Sequence, residues 1–157
     1  MKKNLDRSSL VPKVGLVCSH GGHLTEIQLL QTKLTGVETF LITYKSVRTV
    51  PGDRTYLVSN IGTKPWKLVV AFFRISLAIA REKPEALIST GAEIALPAFL
   101  IGRALGVKLI FIESLARTTR PSVTGFLLYP VSDLFLVQWP RLLHRYGDRA
   151  ECVGAVA

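Results

Sequence analysis

The sequence predicts an α/β fold in which helices cover both faces of a parallel sheet. Short aliphatic runs alternate with longer segments of helical periodicity, a pattern typical of parallel strands joined by helices. With 157 residues, 48% of them hydrophobic, the chain can bury the core of one domain. We therefore expect one Rossmann-like domain over residues 13–157, preceded by a polar, flexible segment at residues 1–12.

The aliphatic runs and the residues that punctuate them predict each element. Pro65 and Pro140 suit first helical turns, and Gly36, Gly106 and Gly147 stand where helices should end. Strands are predicted at Lys13–Cys18, Glu38–Thr43, Thr55–Val58, Ala86–Ser89, Lys108–Ile112, Leu134–Val137 and Glu151–Val153. Helices are predicted at Leu24–Leu34, Pro65–Lys83, Glu93–Leu105 and Pro140–Tyr146, with a shorter helical piece within Ser122–Tyr129.

The composition limits which classes of binding partner and which cellular compartment we expect. There are 20 Lys and Arg residues against 11 Asp and Glu, a formal net charge of +9 that favours anionic partners. The basic residues are scattered and match no nucleic-acid-binding motif, so we expect no nucleic-acid partner. Cys18 and Cys152 indicate neither a disulfide framework nor a metal site, which favours a reduced, cytoplasmic compartment. We expect no metal and no cofactor.

The most informative segment is Ser19-His20-Gly21-Gly22-His23, between the first strand and the first helix. The glycines let the backbone approach a ligand closely, and the first helical amides point outward without partners. A ligand-facing loop is one interpretation. A merely tight turn is the other, because the full G-x-G-x-x-G pattern is absent. His20 is expected to fill the loop, whereas His23 is the better functional candidate.

Three segments should meet at one edge of the sheet, because ligands bind at the carboxyl ends of parallel strands. They are the glycine–histidine loop, Thr90-Gly91-Ala92-Glu93 after the fourth strand, and the segment from Glu113 to Arg117 after the fifth. The second segment also suits ordinary helix capping, with Glu93 near the positive end of the helix.

Glu113 directly follows a strand of buried character, Lys108–Ile112. A carboxylate in that place costs several kcal/mol unless it is paired or solvated. One interpretation is a structural group, bonded to loop amides or to Arg117 or Arg120. The other is a group that binds a hydroxyl or acts as a base.

The segment Pro65–Lys83 is more apolar than a core-facing helix requires. Its apolar arc spans about 220°, against the ~100° stripe that suffices to face a core. The run is too short to span a membrane, but cations on one side and aromatic rings on the other suit a helix in the headgroup layer. Contact with a partner chain and full burial are the alternatives. The basic segment Tyr44–Arg54 is a second candidate contact. The expected membrane contacts are Trp66, Lys67, Phe73, Arg74 and Arg81.

Four segments are informative as a set and occur in this order along the chain: Ser19–His23, Ile88–Ala92, Phe111–Ser114 and Asp133–Pro140. Together they resemble the PssD/EpsE/CpsF family of bacterial exopolysaccharide and capsule proteins. That family is similar to the membrane-anchor subunit of the eukaryotic enzyme that makes dolichol-linked chitobiose. The resemblance covers roughly Lys13 to Val156.

The resemblance implies the N-terminal half of a GT-B glycosyltransferase, encoded as a separate chain. A small catalytic partner would bind the nucleotide sugar. This chain would hold a polyprenyl-diphosphate-linked saccharide, as a peripheral protein at the cytoplasmic face of the cell membrane. By position, His23 would contact the acceptor or its diphosphate and Glu113 would orient the acceptor, which makes both of them catalytic candidates. Further acceptor contacts are expected at Gly21, Gly22, Thr90, Gly91, Arg117 and Arg120.

The chain also departs from that pattern. The eukaryotic anchor has an N-terminal transmembrane helix, which the polar segment Met1–Pro12 is not expected to form. Membrane attachment is then expected from Pro65–Lys83 or from the partner. Without a second Rossmann half, the chain is expected to be inactive alone. Two alternatives are a non-catalytic membrane adaptor that only activates a partner, and a self-contained nucleotide-binding enzyme.

Overall fold

One parallel sheet organises the chain in the computed structural model, which describes residues 11–45, 54–60 and 65–156. Its strands lie in the order β3-β2-β1-β4-β5-β6-β7, and every neighbouring pair is parallel. The order reverses between β1 and β4, and a ligand crevice is expected at the carboxyl ends beside such a point. In chain order the strands are β1 (Lys13–Cys18), β2 (Glu38–Tyr44), β3 (Arg54–Val58), β4 (Ala86–Ser89), β5 (Lys108–Ile112), β6 (Leu134–Val137) and β7 (Ala150–Cys152).

Helices lie on both faces of this sheet, as predicted. One core layer is formed by side chains of the sheet and of α2 to α5, and the other by the opposite sheet face and α1. Val156, near the end of the chain, also packs in the α1 layer. The helices are α1 (Gly22–Lys33), α2 (Pro65–Glu82), α3 (Ala95–Ala104), α4 (Val123–Leu128) and α5 (Leu143–Tyr146).

Aromatic packing anchors β5, whose end carries part of the candidate site. The rings of Phe111 and Phe135 stack with their centroids 5.0 Å apart. Phe99 of α3 meets Phe111 edge-on, at 6.2 Å between centroids. Each fully buried ring of this size contributes about 1.5–3 kcal/mol. The strand that leads into Glu113 is therefore held firmly on one face.

The helices next to the site begin at other residues than predicted. Helix α1 begins at Gly22 rather than Leu24, which places His23 inside its first turn. Helix α3 begins at Ala95, two residues later than predicted, after a turn in which the Ala95 amide donates to the Ala92 carbonyl at 3.0 Å. Gly91 and Ala92 lead into this turn with positive φ, 121° and 69°.

The other boundaries agree with prediction to within one residue, with one exception. The predicted helix Pro140–Tyr146 is a 3₁₀ turn over Pro140–Leu142 followed by the single α-helical turn of α5. Four of the predicted strands, β1, β4, β5 and β6, match residue for residue. Residues 1–10 of the expected flexible segment, and residues 46–53 of the basic segment Tyr44–Arg54, lie outside the described residues.

Helix α2 has more apolar surface than its sheet covers. It buries four small or aliphatic side chains, Ala71, Ile75, Ala78 and Ile79, while Phe73 and Leu77 remain about 70% exposed, at 68% and 71%. The interpretation of α2 as a fully buried helix is therefore wrong. No helix in the described ranges is both long and apolar enough to cross a bilayer. We call the exposed set the outer α2 face; its residues are Trp66, Val69, Val70, Phe72, Phe73 and Leu77.

Candidate functional site

A cleft of about 330 Å³ opens at the carboxyl edge of the sheet. All three segments that we expected to meet there contribute to it: the loop after β1, the loop after β4 and the loop after β5. Residues at the start of α4 also line the cleft. The lining residues are His23, Ala92, Ser114, Ala116, Arg117, Ser122, Val123 and Thr124.

His23 lies at the inner end of the cleft, where it packs against the loop after β4. A Cβ built on Gly91 would lie 3.1 Å from the His23 Cε1 atom, so the ring occupies the space that a larger residue would need. The Thr90 hydroxyl donates a hydrogen bond to the backbone carbonyl of His23 at 3.2 Å. The Nδ1 atom of His23 is buried and has no hydrogen-bond partner among the described residues.

The N-terminus of α1 is open towards solvent. Gly21 precedes the helix with φ 83°, and no side chain caps the first amides. A Cβ on Gly21 or Gly22 would meet nothing within 4 Å, and the first turn carries no acidic side chain. Unpaired amides at a helix N-terminus attract anions. The glycine–histidine loop therefore presents a positive backbone surface next to His23.

Glu113 is 1% exposed, and four donors surround its carboxylate. Its Oε1 accepts from the amide of Ser114 at 3.1 Å. Its Oε2 accepts from the amide of Ser122 at 3.0 Å, from the Ser122 hydroxyl at 3.1 Å, and from the hydroxyl of Tyr146. Of the two structural interpretations, the bonding to loop amides is confirmed. Charge-assisted bonds of this kind are about twice as strong as neutral ones.

The surroundings of Glu113 leave no spare volume. Burial, together with the hydrogen bond to Glu113, raises the pKa of Tyr146 far above its usual value, so this hydroxyl remains a donor. A Cβ on Gly125 would lie 2.6 Å from Glu113 Oε2, which explains a glycine inside α4. Glu113 thus ties together the loop after β5, the start of α4 and α5.

The two arginines proposed for diphosphate binding occupy different places. Arg117 is exposed and lines the cleft. Arg120 is exposed in the same loop but is not among the lining residues. The expectation that one of them pairs with Glu113 is wrong, because amides and hydroxyls fill that carboxylate. The Thr90 side chain is buried and serves the backbone of His23.

Sequence reasoning missed Glu26, which lies on α1 three residues after His23. Its Oε1 accepts from the Ser114 hydroxyl at 2.8 Å and from the amide of Leu115 at 3.2 Å. Its Oε2 is buried and without a partner among the described residues. The His-x-x-Glu spacing was a usable signal, since residues three apart are neighbours on a helix.

Sequence reasoning also gave no role to Gln138 and Trp139, which follow β6. The Gln138 side chain donates to the carbonyl of Glu113 at 3.0 Å, and the Trp139 indole donates to the carbonyl of Leu115 at 2.8 Å. Both bonds hold the loop after β5 from its far side. Both residues belong to the motif Asp133–Pro140, but the motif does not reveal that they bind the carbonyls of Glu113 and Leu115.

The two cysteines are not joined in a disulfide. Both are free; Cys18 is buried and Cys152 is exposed. Burial raises the pKa of the Cys18 thiol to about 12. Within the described ranges, no group of three or more His, Cys, Asp or Glu side chains is arranged to hold a metal ion.

The strand order and the cleft at the carboxyl edge define a Rossmann-like α/β domain. The fold is similar to MurG of Acinetobacter baumannii, with a TM-score of 0.74 at 17% identity over 93% of this chain and 46% of that chain. It is also similar to the UDP-N-acetylglucosamine 2-epimerase of Rickettsia bellii, with a TM-score of 0.73 at 12% identity over 93% of this chain and 45% of that chain. At these identities the likeness shows the fold alone.

The sequence identifies the family. Residues 54–156 match the family described as Alg14-like oligosaccharide biosynthesis proteins, and the chain belongs to that family. The UDP-N-acetylglucosamine transferase subunit ALG14 of Candida albicans is 33% identical over 111 residues, which are 67% of this chain and 50% of that protein. The chain thus spans about half the length of this relative. The eukaryotic side of the resemblance is confirmed.

Proposed function

We propose that this chain is the acceptor-binding subunit of a two-chain inverting glycosyltransferase. The complex would transfer a sugar from a nucleotide sugar to a polyprenyl-diphosphate-linked saccharide. The observation that carries the proposal is the cleft lined by His23 and Arg117, since His23 is the second residue of a helix whose start is uncapped. Membership of the Alg14-like family supports it, as does the relative named as a UDP-N-acetylglucosamine transferase subunit. That name favours UDP-N-acetylglucosamine as the donor.

The anionic part of the acceptor suits the wall of the cleft formed by α1. Amides around Gly22 and the guanidinium of Arg117 are the groups that bind diphosphate oxygens, the first through the helix dipole and the second through bidentate bonds. Because the cleft lies next to His23, a diphosphate held there would bring the attached sugar close to the imidazole. The net charge of +9 would assist capture of an anionic lipid.

His23 is the better candidate for the base. The acceptor hydroxyl would give its proton to an imidazole nitrogen while its oxygen forms a bond to the anomeric carbon of the donor. The bond from that carbon to the diphosphate breaks, and the nucleoside diphosphate leaves with the electron pair. Glu113 has four donors on its carboxylate, so accepting that proton would disrupt its contacts. Glu113 instead holds Ser122 and Ser114 at the cleft.

A second chain would supply the donor half. The name of the Candida albicans relative, a transferase subunit, supports this part of the proposal. A small catalytic partner that binds the nucleotide sugar would complete the cleft from outside. The exopolysaccharide or capsule setting expected from the sequence stays a prediction, since the matched family is described only by oligosaccharide biosynthesis.

The outer α2 face would hold the subunit at the cytoplasmic face of an anionic membrane. It presents Trp66 and Phe73 to solvent, with exposed cations such as Arg74 and Arg81 along one side. At 100° per residue, the three cations of α2 lie within about 40° of one another, next to the apolar arc. This pairing of rings and cations suits the headgroup layer.

Sugar transfer by the co-purified complex tests the proposal. The substrates are UDP-N-acetylglucosamine and a polyprenyl-diphosphate-linked N-acetylglucosamine, and the variant is His23→Ala. Loss of a general base lowers kcat by about 10²–10⁴-fold. His20→Ala is the matched control, because His20 is exposed and only meets Tyr44 edge-on at 6.2 Å. Full activity in His23→Ala, or transfer by this chain without a partner, would contradict the proposal.

A non-catalytic membrane adaptor is the second candidate, favoured by the size of the outer α2 face. In that case His23→Ala and Glu113→Ala would both leave the turnover of the folded complex unchanged. Substitutions on α2, such as Arg74→Glu, would instead remove the complex from the membrane fraction. The same two measurements, turnover and membrane recovery, therefore separate the candidates.

A further inference from the structure

Two buried polar atoms without hydrogen-bond partners lie one helical turn apart on α1. They are His23 Nδ1 and Glu26 Oε2. Among the described residues only one other buried side-chain atom is in this situation, the hydroxyl oxygen of Thr43, which lies on β2 opposite Cys18. Buried polar groups nearly always have partners, so a neighbouring pair of exceptions requires an explanation.

The position of Glu26 Oε2 is set by the other oxygen of the same carboxylate. Glu26 Oε1 is held by the Ser114 hydroxyl at 2.8 Å and by the Leu115 amide at 3.2 Å. Glu26 is 8% exposed, and Ser114 lines the same cleft as His23. The two atoms are not bonded to each other in the structure. Side chains three residues apart on a helix have Cβ atoms about 5–6 Å apart, so a rotation of the His23 side chain would bring Nδ1 into a direct hydrogen bond with Oε2.

We infer that Glu26 is a positioning residue that fixes the His23 imidazole with its hydrogen on Nδ1. An ionised carboxylate only accepts hydrogen bonds, so a partner of Oε2 must donate. In a direct bond the imidazole satisfies this by carrying its hydrogen on Nδ1. The lone pair is then on Nε2, which is the atom left to take the proton of the acceptor hydroxyl.

This inference rests on the proposed function, because it assigns the reacting nitrogen of the candidate base. After Nε2 has taken a proton, the imidazolium faces the Glu26 carboxylate, which stabilises the new charge. Glu113 cannot play this part for His23, since both of its oxygens are already engaged by Ser114, Ser122 and Tyr146. Gly91, whose Cβ position would lie 3.6 Å from Nδ1, has no side chain to offer.

The tautomer of His23 can be measured by ¹⁵N NMR on the isolated chain, at the neutral limit of a pH titration. The three histidines are assigned with His20→Ala and His144→Ala. We expect wild-type His23 to carry its hydrogen on Nδ1. A wild-type signal with the hydrogen on Nε2, or an even mixture of tautomers, would overturn the inference without any variant of Glu26.

Glu26→Gln gives the sharpest contrast. The amide oxygen still accepts from Ser114 and Leu115, but an NH₂ group replaces Oε2. That group donates, so Nδ1 becomes the acceptor and the hydrogen moves to Nε2. Ser114→Ala is the matched control, because it removes a bond to Oε1 and leaves Oε2 as it is. An unchanged tautomer in Glu26→Gln, or the same change in both variants, would overturn the inference.

Kinetics of the complex separate positioning from direct binding. Glu26→Gln should lower kcat by about 10²-fold or more with an unchanged KM for the acceptor, as expected for a base with its hydrogen on the wrong nitrogen. Glu26→Asp, which restores a carboxylate, should recover part of kcat. A raised KM with the wild-type tautomer would show that Glu26 binds the acceptor directly, against the inference. Reversal of the tautomer together with full activity in His23→Ala would support the pairing and refute the proposed base.

Discussion

The ring of His23 and the backbone of Gly91 are in such close contact that a Cβ on Gly91 would lie 3.1 Å from the His23 Cε1 atom. The contact joins the first turn of α1 to the loop after β4. Thr90 strengthens the same junction through its bond to the His23 carbonyl at 3.2 Å. The orientation of the candidate base therefore depends on a residue that has no side chain.

Gly91→Ala should displace His23 and lower sugar transfer by the complex. The new methyl group meets the ring, and φ 121° adds backbone strain for any L residue. A residue in such a conformation costs of order 1–3 kcal/mol. We expect a clear loss of kcat, measured with the acceptor substrate, and a shift in the NMR signals of His23.

Gly36→Ala is the matched control for that substitution. Gly36 also has positive φ, 74°, but a Cβ there meets nothing within 4 Å. It should lower the free energy of unfolding while kcat stays at the wild-type value. Equal activity in the two alanine variants would show that the contact between His23 and Gly91 is of no consequence for turnover.

Tyr146→Phe should destabilise the fold by removing a donor from the buried Glu113 carboxylate. Hydrogen bonds to charged groups contribute about 1.5–3 kcal/mol. Tyr129→Phe is the control, because that hydroxyl accepts one exposed bond from the Arg149 amide at 3.1 Å. Urea unfolding at neutral pH measures both, and equal losses in the two variants would contradict the central place of Glu113.

The same tyrosine makes stability fall at alkaline pH. The pKa of Tyr146 in the folded chain is raised above its usual value of 10.0, by burial and by Glu113. Above pH 10.0 the unfolded hydroxyl ionises while the folded one keeps its proton, so the stabilisation present below that pH is progressively lost. For one such group the free energy of unfolding falls by about 1.4 kcal/mol per pH unit. The stability difference between wild type and Tyr146→Phe should shrink above pH 10; a constant difference would refute this.

The two thiols should differ sharply in how fast they react with a disulfide reagent at pH 8. Cys152 is exposed and should react at once, whereas Cys18 is buried with a pKa raised to about 12 and should react only when the chain unfolds. The count of reactive thiols should be one in buffer and two in urea. Cys152→Ser should abolish the fast phase; two fast thiols in the wild type would show that β1 is not buried as described.

Phe73→Ser combined with Leu77→Ser should release the chain from anionic vesicles. These side chains are 68% and 71% exposed, so the fold should keep its stability. Each contributes about 1.5–3 kcal/mol when fully buried in an apolar phase, so the pair should weaken binding at least about 10-fold. Vesicle sedimentation measures the effect, and added salt should weaken wild-type binding through the cations of α2.

Leu29→Ser is the control for the vesicle experiment. Leu29 is an exposed apolar residue (43%) on α1, and α1 packs on the sheet face opposite to α2. It should bind vesicles like the wild type. If it binds as weakly as the α2 variant, attraction is not confined to the outer α2 face.

The positions of the strands were predictable because aliphatic runs are a local signal. Lys108–Ile112 was found residue for residue, and the parallel arrangement then placed Glu113 at the ligand edge. The positive φ of Ala92, just before α3, was not predictable, since an alanine carries no sequence signature for it.

The hydrogen-bond partners of the Glu113 and Glu26 carboxylates could not be predicted from local sequence patterns. Glu113 meets Tyr146 across 33 positions of sequence, and Glu26 meets Ser114 across 88. Such contacts depend on how distant helices seat against the sheet, and residue spacing carries no information about that. The apolar excess of α2, by contrast, follows from helical period alone.

The sequence by itself determined the kind of sheet, the edge that carries the site, and the helix whose outer side stays apolar, because period and strand direction are properties of short segments. Only the tertiary structure decided the roles of the two acidic residues at that edge, Glu113 and Glu26. Glu113 is enclosed by donors and holds the loops, while Glu26 keeps one oxygen free beside His23. That division depends on which donors folding brings to each carboxylate.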